Sequence, residues 1–222
     1  MSVAANLTKI RGQLKDAPVT VIAVSKYVGL PEIKEAIAAG VTEFGESRIQ
    51  DALKKQEELP AELQKNIRWH FIGHLQSNKA KKAVGRFALI HSVDSFHLAK
   101  ELSEEAVKQG LEQAILLQVK ILNDPAKSGF SPQILQEEFS KIHDLAGLKI
   151  EGLMTMTPLT DDKEIWRQCF SGLKQLKLEL ESTYHLCLPE LSMGMSDDYL
   201  VAVTCGATLL RIGRAIFENS EN

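Results

Sequence analysis

The sequence predicts an α/β protein: a single (β/α)8 TIM barrel with an extra N-terminal helix. Strand-like apolar runs alternate with amphipathic helical patterns along the whole chain, which is typical of parallel α/β folds. Eight such runs are present, and eight parallel strands close a barrel. The chain has 222 residues, so the loops must be short, and we expect one domain over residues 1–222.

Each element follows from a local pattern. The strands are predicted at Val19–Lys26, Thr42–Glu46, Arg68–Gly73, Ala88–Val93, Ala114–Ile121, Lys149–Met156, Glu190–Met195 and Thr208–Gly213. The helices are predicted at Met1–Lys15, Pro31–Ala39, Arg48–Leu59, Ser77–Val84, Phe96–Lys108, Pro132–Leu145, Lys163–Ser182 and Asp197–Cys205. Proline in a first turn and glycine after a last turn are ordinary helix boundaries. The leading helix takes the place of an eighth helix after the last strand.

An open, doubly wound sheet is the competing architecture. No Gly-x-Gly-x-x-Gly turn follows the first strand, which argues against a dinucleotide-binding sheet.

Composition excludes several classes of partner. The net charge is −3 and no basic stripe is visible, so we expect no nucleic acid. The polar N-terminus and the absence of an 18-residue apolar run argue against a signal peptide and a membrane span. Three cysteines lack metal-ligand spacing, as expected for free thiols in a reducing compartment. We therefore expect a cytoplasmic protein.

Lys26 is the most informative candidate residue. It closes the first apolar run, and strand residues alternate between faces. If Lys26 faces inward, then Thr20, Ile22 and Val24 line the same interior face. A buried, neutral amine is a nucleophile that forms Schiff bases with carbonyls. The alternative is a lysine that caps the strand end in solvent.

Anion-binding features follow the last two predicted strands. Ser192, Gly194 and Ser196 form a Ser-x-Gly-x-Ser segment after strand seven, and Arg211 and Gly213 end strand eight. Phosphate often binds at these loops of a barrel. Taken alone, the serine segment is more typical of a tight turn with a helix cap; its place after strand seven, together with Arg211 and Gly213 on strand eight and Lys26 on strand one, favours an anion site.

Two histidines, His70 and His74, lie four residues apart near the end of the third strand. They are predicted on opposite sides of the strand end with no adjacent carboxylate in sequence, so a polar structural role is favoured over a metal site. The methionines at 154, 156, 193 and 195 are interpreted as gap-fillers around the barrel mouth.

Several strings together resemble the YggS/PROSC family of pyridoxal 5′-phosphate (PLP) homeostasis proteins, in order from about Val21 to Phe217. The strings are Ala23-Val24-Ser25-Lys26, Phe44-Gly45-Glu46, Trp69-His70-Phe71-Ile72-Gly73-His74-Leu75-Gln76-Ser77-Asn78-Lys79, Ser192-Met193-Gly194-Met195-Ser196-Asp197 and Arg211-Ile212-Gly213-Arg214-Ala215-Ile216-Phe217. The resemblance implies a barrel similar to the N-terminal domain of alanine racemase.

The resemblance also implies the site residues. Lys26 matches the lysine that binds PLP as an internal aldimine, and Arg211 matches an arginine near the cofactor ring and phosphate, with the contacted atom left open. Ser192, Gly194, Ser196 and Gly213 match the phosphate-holding segments. Ser47, Ser77 and Met193 are further candidates for cofactor binding. Ser47 stands where the family usually has asparagine, which leaves an amide hydrogen bond in that position unsupported.

A PLP carrier without strong catalytic activity is the function that the resemblance implies, with apo-PLP enzymes as recipients and a monomeric state. A racemase needs proton donors on both faces of the substrate carbon. The chain has three tyrosines: Tyr27 is expected to point away from Lys26, and Tyr184 and Tyr199 fall on helical or loop segments. Two alternatives stay open, a slow PLP-dependent amino-acid racemase and a lysine Schiff-base aldolase without PLP.

Overall fold

The computed structural model describes residues 2–122, 124 and 127–218. Eight parallel strands form a closed barrel in sequence order, with β1 hydrogen-bonded to both β2 and β8. This confirms the predicted barrel and overturns the open-sheet alternative. The strands are β1 Thr20–Val24, β2 Glu43–Glu46, β3 Arg68–Phe71, β4 Leu89–Val93, β5 Gln113–Gln118, β6 Leu148–Met154, β7 Glu190–Ser192 and β8 Leu209–Ile212.

Helices connect the strands on the outside of the barrel. They are α1 Val3–Leu14, α2 Leu30–Ala38, α3 Ile49–Glu58, α4 Ala61–Gln64, α5 Ala80–Ala83, α6 Phe96–Gln109, α7 Pro132–His143, α8 Lys163–Tyr184, α9 Tyr199–Thr204 and α10 Arg214–Phe217. The short helices α4 and α10 were not predicted. The helix predicted over Ser77–Val84 is a 3₁₀ turn at Ser77–Lys79 followed by α5.

The leading helix α1 lies where the prediction placed it, beside the helix α10 that follows the last strand. The side chain of Ser2 caps its first turn by accepting a hydrogen bond from Ala5 N at 3.2 Å, as serine commonly does at this position. The Asn6 side-chain amide is buried and donates to the carbonyl of Ile216 at 3.0 Å. Helix α1 is thereby joined to α10, so the start and end of the described chain close the ring of helices together.

Alternation along the strands sorts the core into two parts. Outward-facing residues such as Phe44, Trp69 and Leu153 pack between the sheet and the helices. Inside the barrel, a smaller apolar cluster contains Ile22, Leu89, Leu116, Met154 and Leu209. The remaining interior positions on β2, β3, β4, β7 and β8 carry polar side chains, which are described below.

Most strands end earlier than the sequence predicts. β1 ends at Val24, β7 at Ser192 and β8 at Ile212, whereas the predicted runs continued to Lys26, Met195 and Gly213. After β7, the first loop residue Met193 is apolar and still buried in the core. The candidate site residues therefore lie on loops and strand ends at the carboxyl mouth. No helix among the described residues is long and apolar enough to cross a membrane.

Candidate functional site at the barrel mouth

Lys26 is exposed rather than buried in the barrel interior, so the expectation of a buried amine was wrong. The residue follows the end of β1 and its side chain is exposed, with Nζ 4.7 Å from the centre of the Tyr27 ring. Tyr27 therefore lies against the amine rather than pointing away from it. Because β1 ends at Val24, the strand alternation that predicted an inward lysine stops two residues before it.

The backbone that carries Lys26 is fixed by a buried ion pair. Glu46, at the end of β2, is fully buried, and its Oε1 accepts hydrogen bonds from Ser25 Oγ and from Lys55 Nζ, both at 2.7 Å. Lys55 Nζ also donates to the Ser25 carbonyl at 2.6 Å. Both the side chain and the carbonyl of the residue before Lys26 are thus held, while the Lys26 side chain itself is exposed.

The loop after β7 is held in a single turn. Gly194 has φ +94°, and a Cβ atom there would come within 2.6 Å of the Cβ of Ala202, so a side chain is excluded by both backbone and packing. The buried Asp198 carboxylate accepts from Met195 N at 2.6 Å and from Thr157 Oγ1 at 2.7 Å. Ser196 Oγ accepts from the Ala215 amide at 3.2 Å, which ties this loop to the start of α10.

Arg211 is a buried cation whose hydrogen bonds go to neutral oxygens. Its Nη1 donates to Ser192 Oγ at 2.6 Å and its Nη2 to the Thr155 carbonyl at 2.9 Å, and the residue is 4% exposed. Burial lowers the pKa of Arg211 to about 10, against the opposing effect of the Asp198 charge. Within the described residues, no carboxylate forms an ion pair with this guanidinium, and three of its five N–H groups have no hydrogen-bond acceptor.

The lysine and arginine segments are neighbours in the sheet. β1 and β8 are paired, with Ile22 opposite Arg211 and Ala23 opposite Ile212. Gly213 follows β8, and a Cβ atom there would lie 3.3 Å from both the Cβ and the carbonyl oxygen of Val24. The two loops therefore leave the barrel side by side.

Behind Arg211, a chain of buried polar side chains crosses the barrel interior. Ser192 Oγ lies 2.8 Å from His91 Nδ1, and His91 Nε2 lies 2.9 Å from His70 Nδ1. His70 Nε2 lies 2.6 Å from Glu43 Oε2 at the beginning of β2. Burial lowers the pKa of His91 well below its ordinary value, and the charges of His70 and Arg211 lower it further.

Sequence reasoning missed Glu43, His91 and Thr155, although a signal was present. Glu43 lies two residues before Gly45 on β2, and His91 lies two residues after Leu89 on β4. His70 on β3 is paired with both Gly45 and Leu89. All three side chains therefore occupy interior positions of their strands. A polar residue at such a position is rare unless it is hydrogen-bonded. The polar role predicted for His70 is met, but through a carboxylate that is distant in sequence.

Three further candidates have different positions. Ser47 lines a cavity of 370 Å³ at the ends of β2 and β3, together with Arg48, His74, Lys79 and Lys82 among others, and Ser77 begins the 3₁₀ turn beside it. Met193 is fully buried in the outer core, so its side chain does not reach the mouth. Its outward position follows from strand alternation next to the inward Ser192.

The described part of the chain contains no group of three potential metal ligands. His74 instead pairs with Asp94, with Nδ1 3.2 Å from the carboxylate. The mouth thus combines an exposed primary amine with a buried cation that forms no ion pair with a carboxylate among the described residues. Such a pair suits a small ligand that carries a carbonyl group at one end and an anionic or strongly accepting group at the other.

Comparisons with known proteins agree with this geometry. Residues 1–220 match the family described as alanine racemase, N-terminal domain. The "Pyridoxal phosphate homeostasis protein" of Synechocystis sp. is 43% identical over 199 residues, covering 90% of each chain. PipY of Synechococcus elongatus, solved with PLP bound, is 41% identical, with a TM-score of 0.90 over 98% of this chain and 100% of that one. An alanine racemase from Clostridium difficile shares the fold at 14% identity and a TM-score of 0.80, with 100% of this chain aligned to 57% of the enzyme.

Proposed function

This chain belongs to the pyridoxal phosphate homeostasis protein family, and we propose that it binds PLP at the carboxyl mouth of its barrel and holds it covalently through Lys26. PLP supplies an aldehyde that condenses with a primary amine with loss of water. The protein then serves as a carrier within vitamin B6 and amino-acid homeostasis rather than as an efficient catalyst.

One observation carries the proposal: a buried arginine, which forms no ion pair with a carboxylate in the described part of the chain, lies on the strand next to the one that leads to Lys26. A buried guanidinium is costly unless its N–H groups are used. The three N–H groups of Arg211 that lack acceptors fit a bound phosphate or ring nitrogen, both of which accept hydrogen bonds.

The other site residues support this assignment by shaping the loops. Gly194 permits the turn after β7, Ser196 joins that turn to the start of α10, and Gly213 allows β8 to pass close to β1. Ser192 orients the Arg211 guanidinium. Ser47 and Ser77 are proposed to border the opposite side of the mouth.

A carrier is favoured over a racemase because the amine is exposed and no tyrosine among the described residues lies opposite it. Lys26 is exposed, and Tyr27 lies against it rather than opposite it. The Tyr199 hydroxyl donates to Gln13 on α1, and Tyr184 packs on Phe139 between outer helices. No second tyrosine among the described residues is therefore near the lysine, and catalysis by two opposed acid–base groups is disfavoured.

Further parts of the proposal concern the whole protein. We propose one domain over residues 1–222, a monomeric state, a cytoplasmic location and transfer of PLP to apo-enzymes. The exposure of Lys26 supports exchange with acceptors in solution.

Borohydride trapping tests the site. PLP added to the purified protein is expected to give an absorbance band that borohydride removes, and mass spectrometry is expected to find the reduced adduct on Lys26. Lys26→Met is expected to abolish the adduct completely. Lys54→Met is the matched control, because Lys54 is an exposed lysine lining the same 360 Å³ cavity as Lys26; loss of the adduct in that variant instead would refute the assignment.

The carrier and racemase functions are separated by chiral analysis. The PLP-loaded protein incubated with L-alanine is expected to produce D-alanine no faster than an equal concentration of free PLP. Turnover well above that background, and lost in Lys26→Met, would replace the carrier proposal with a racemase.

A further inference from the structure

The buried chain that runs from Glu43 to Arg211 connects the beginning of β2 to the mouth. Its five side chains lie on β2, β3, β4, β7 and β8, and its four hydrogen bonds measure 2.6 to 2.9 Å. Glu43 also lies 3.5 Å from the exposed Arg68.

The two ends of the chain determine its direction. Arg211 has only donors, and an ionised Glu43 has only acceptors. If every link is a hydrogen bond, Ser192 accepts from Arg211 and donates to His91 Nδ1. His91 then carries its proton on Nε2 and donates to His70, whose own Nε2 proton goes to the Glu43 carboxylate.

A second arrangement exists, but it leaves one donor unused. An extra proton on the pair Glu43–His70 would make His70 donate to His91, and His91 donate to Ser192. Ser192 Oγ would then accept from both sides while its own proton had no acceptor among the described residues. Ser192 is fully buried, and a buried donor without a partner is costly. The extra charge would also lie in a core that already contains Arg211.

We propose that Glu43, His70 and His91 are positioning residues for the cofactor site: with Glu43 ionised and both imidazoles neutral, they keep the Ser192 lone pairs directed at Arg211, and so hold the guanidinium in the orientation that meets PLP. This inference rests on the proposed function, because it assigns a role to residues behind the proposed PLP contact. The lowered pKa of His91 agrees with a neutral imidazole.

The orientation of Arg211 needs such support. Its two hydrogen bonds run to Ser192 Oγ and to the Thr155 carbonyl. The carbonyl is fixed by the backbone, since Thr155 N donates to the Ser192 carbonyl at 3.1 Å. The hydroxyl rotates freely unless its proton has a fixed acceptor, and His91 Nδ1 provides that acceptor.

Imidazole 15N NMR on the ligand-free protein tests the chain without PLP. At pH 8 we expect both His70 and His91 to carry a proton on Nε2 and none on Nδ1. An Nδ1 proton on His91, or an imidazolium at His70, would overturn the proposal.

PLP affinity then tests the positioning role. The dissociation constant is expected to rise about tenfold in Ser192→Ala and His91→Leu, and about threefold in His70→Leu, because the break lies progressively further from Arg211. His91→Asn is expected to recover much of the affinity, since its amide oxygen can replace Nδ1 as the acceptor. The exposed His97 provides the control, and His97→Leu is expected to bind like the wild type.

The outcomes separate the two proposals. If the wild type takes up no PLP, the proposed function fails and the inference with it. If the wild type binds PLP and Arg211→Met binds it weakly, the proposed function stands. If His91→Leu and His70→Leu then bind PLP like the wild type, and circular dichroism shows that both are folded, the positioning role alone is overturned. Equal losses in His91→Leu and His91→Asn would overturn it as well, because a packing defect does not distinguish an acceptor from an apolar group.

Discussion

Two cations beside the barrel mouth differ in their hydrogen-bond partners: Lys55 is paired with a carboxylate, whereas Arg211 donates to neutral oxygens. On the side of β1 and β2, the buried carboxylate of Glu46 is neutralised by Lys55, and Lys26 extends into solvent above this pair. On the side of β7 and β8, the buried Arg211 contacts only neutral oxygens. One side has its charges balanced within the protein, whereas the other holds a cation whose nearest hydrogen-bond partners carry no charge.

This difference matches the two tasks of a covalent carrier. An amine that must reach and release an aldehyde needs a fixed backbone and a mobile side chain, and the ion pair behind Ser25 supplies the fixed backbone. Recognition of a hydrogen-bond acceptor on the ligand needs a preorganised donor whose charge is not already neutralised by a carboxylate. Under the proposed function, covalent attachment and ligand recognition are therefore assigned to different pairs of strands.

Breaking the ion pair is expected to produce the largest effect on stability. Lys55→Met leaves the Glu46 carboxylate buried without its cation, and removing one partner of a buried pair costs about 3–5 kcal/mol. The loss should appear in the free energy of unfolding by urea. The loop before Lys26 also loses its anchor, so the rate of covalent PLP attachment should fall along with the stability.

Lys54→Met is the control for this variant. Lys54 is the preceding residue on α3, and its ion pair with Glu58 spans 3.8 Å between exposed side chains, so a change below about 0.5 kcal/mol is expected. Glu46→Gln combined with Lys55→Met should recover part of the stability. Equal losses of stability in Lys54→Met and Lys55→Met would show that Lys55 and Glu46 do not act as a buried ion pair.

The Glu46–Lys55 ion pair and the neighbouring Lys26 also show what the sequence could and could not predict. The strings around Lys26, Glu46 and Arg211 were visible, and the order of strands placed them at one end of a barrel. The direction of the Lys26 side chain depends on β1 ending at Val24, which is set by pairing with β2 and β8 rather than by the apolar run. Lys55 is nine residues from Glu46, and nothing in its helical surroundings distinguishes it from Lys54 before the packing is known.

A smaller loss of stability is expected on the opposite side of the mouth. Gly194→Ala puts a Cβ atom at φ +94° and within 2.6 Å of Ala202, so the loop or α9 must shift. Strain of this kind costs about 1–3 kcal/mol. The same shift moves the Gly194 carbonyl, which accepts from Arg211 N, and PLP affinity should therefore decrease as well.

Gly12→Ala provides the matched substitution. Gly12 lies within α1, and a Cβ atom there would meet nothing within 4 Å. Alanine in a helix interior is favoured over glycine by about 0.5–1 kcal/mol, so thermal unfolding should shift upward. A lower midpoint for Gly12→Ala, or an unchanged one for Gly194→Ala, would contradict this account of the two glycines.

Gly194 and His91 mark the limits of the sequence analysis in different ways. Gly194 was selected because of its motif, and the structure adds the positive φ and the close approach of α9. His91 was not selected, because a single histidine in an apolar run gives no hint of its partners. Those partners are Ser192, 101 residues later, and His70, 21 residues earlier. Closure of the barrel brings them together, and no local pattern contains that information.

The pH dependence of stability gives the smallest expected effect and the sharpest test of the buried side. In the unfolded chain His91 has its ordinary pKa near 6.5, whereas in the folded protein burial lowers that pKa. Below about pH 6.5, His91 is protonated in the unfolded chain but stays neutral in the folded protein. The stability contributed by His91 is therefore present above this pH and is lost as the pH falls. One such group contributes about 1 kcal/mol between pH 6.5 and 5.5. Urea unfolding of the wild type and of His91→Asn at both pH values isolates this difference from all other groups, with His97→Asn as the exposed control; equal pH slopes in the wild type and His91→Asn would show that His91 is not held neutral.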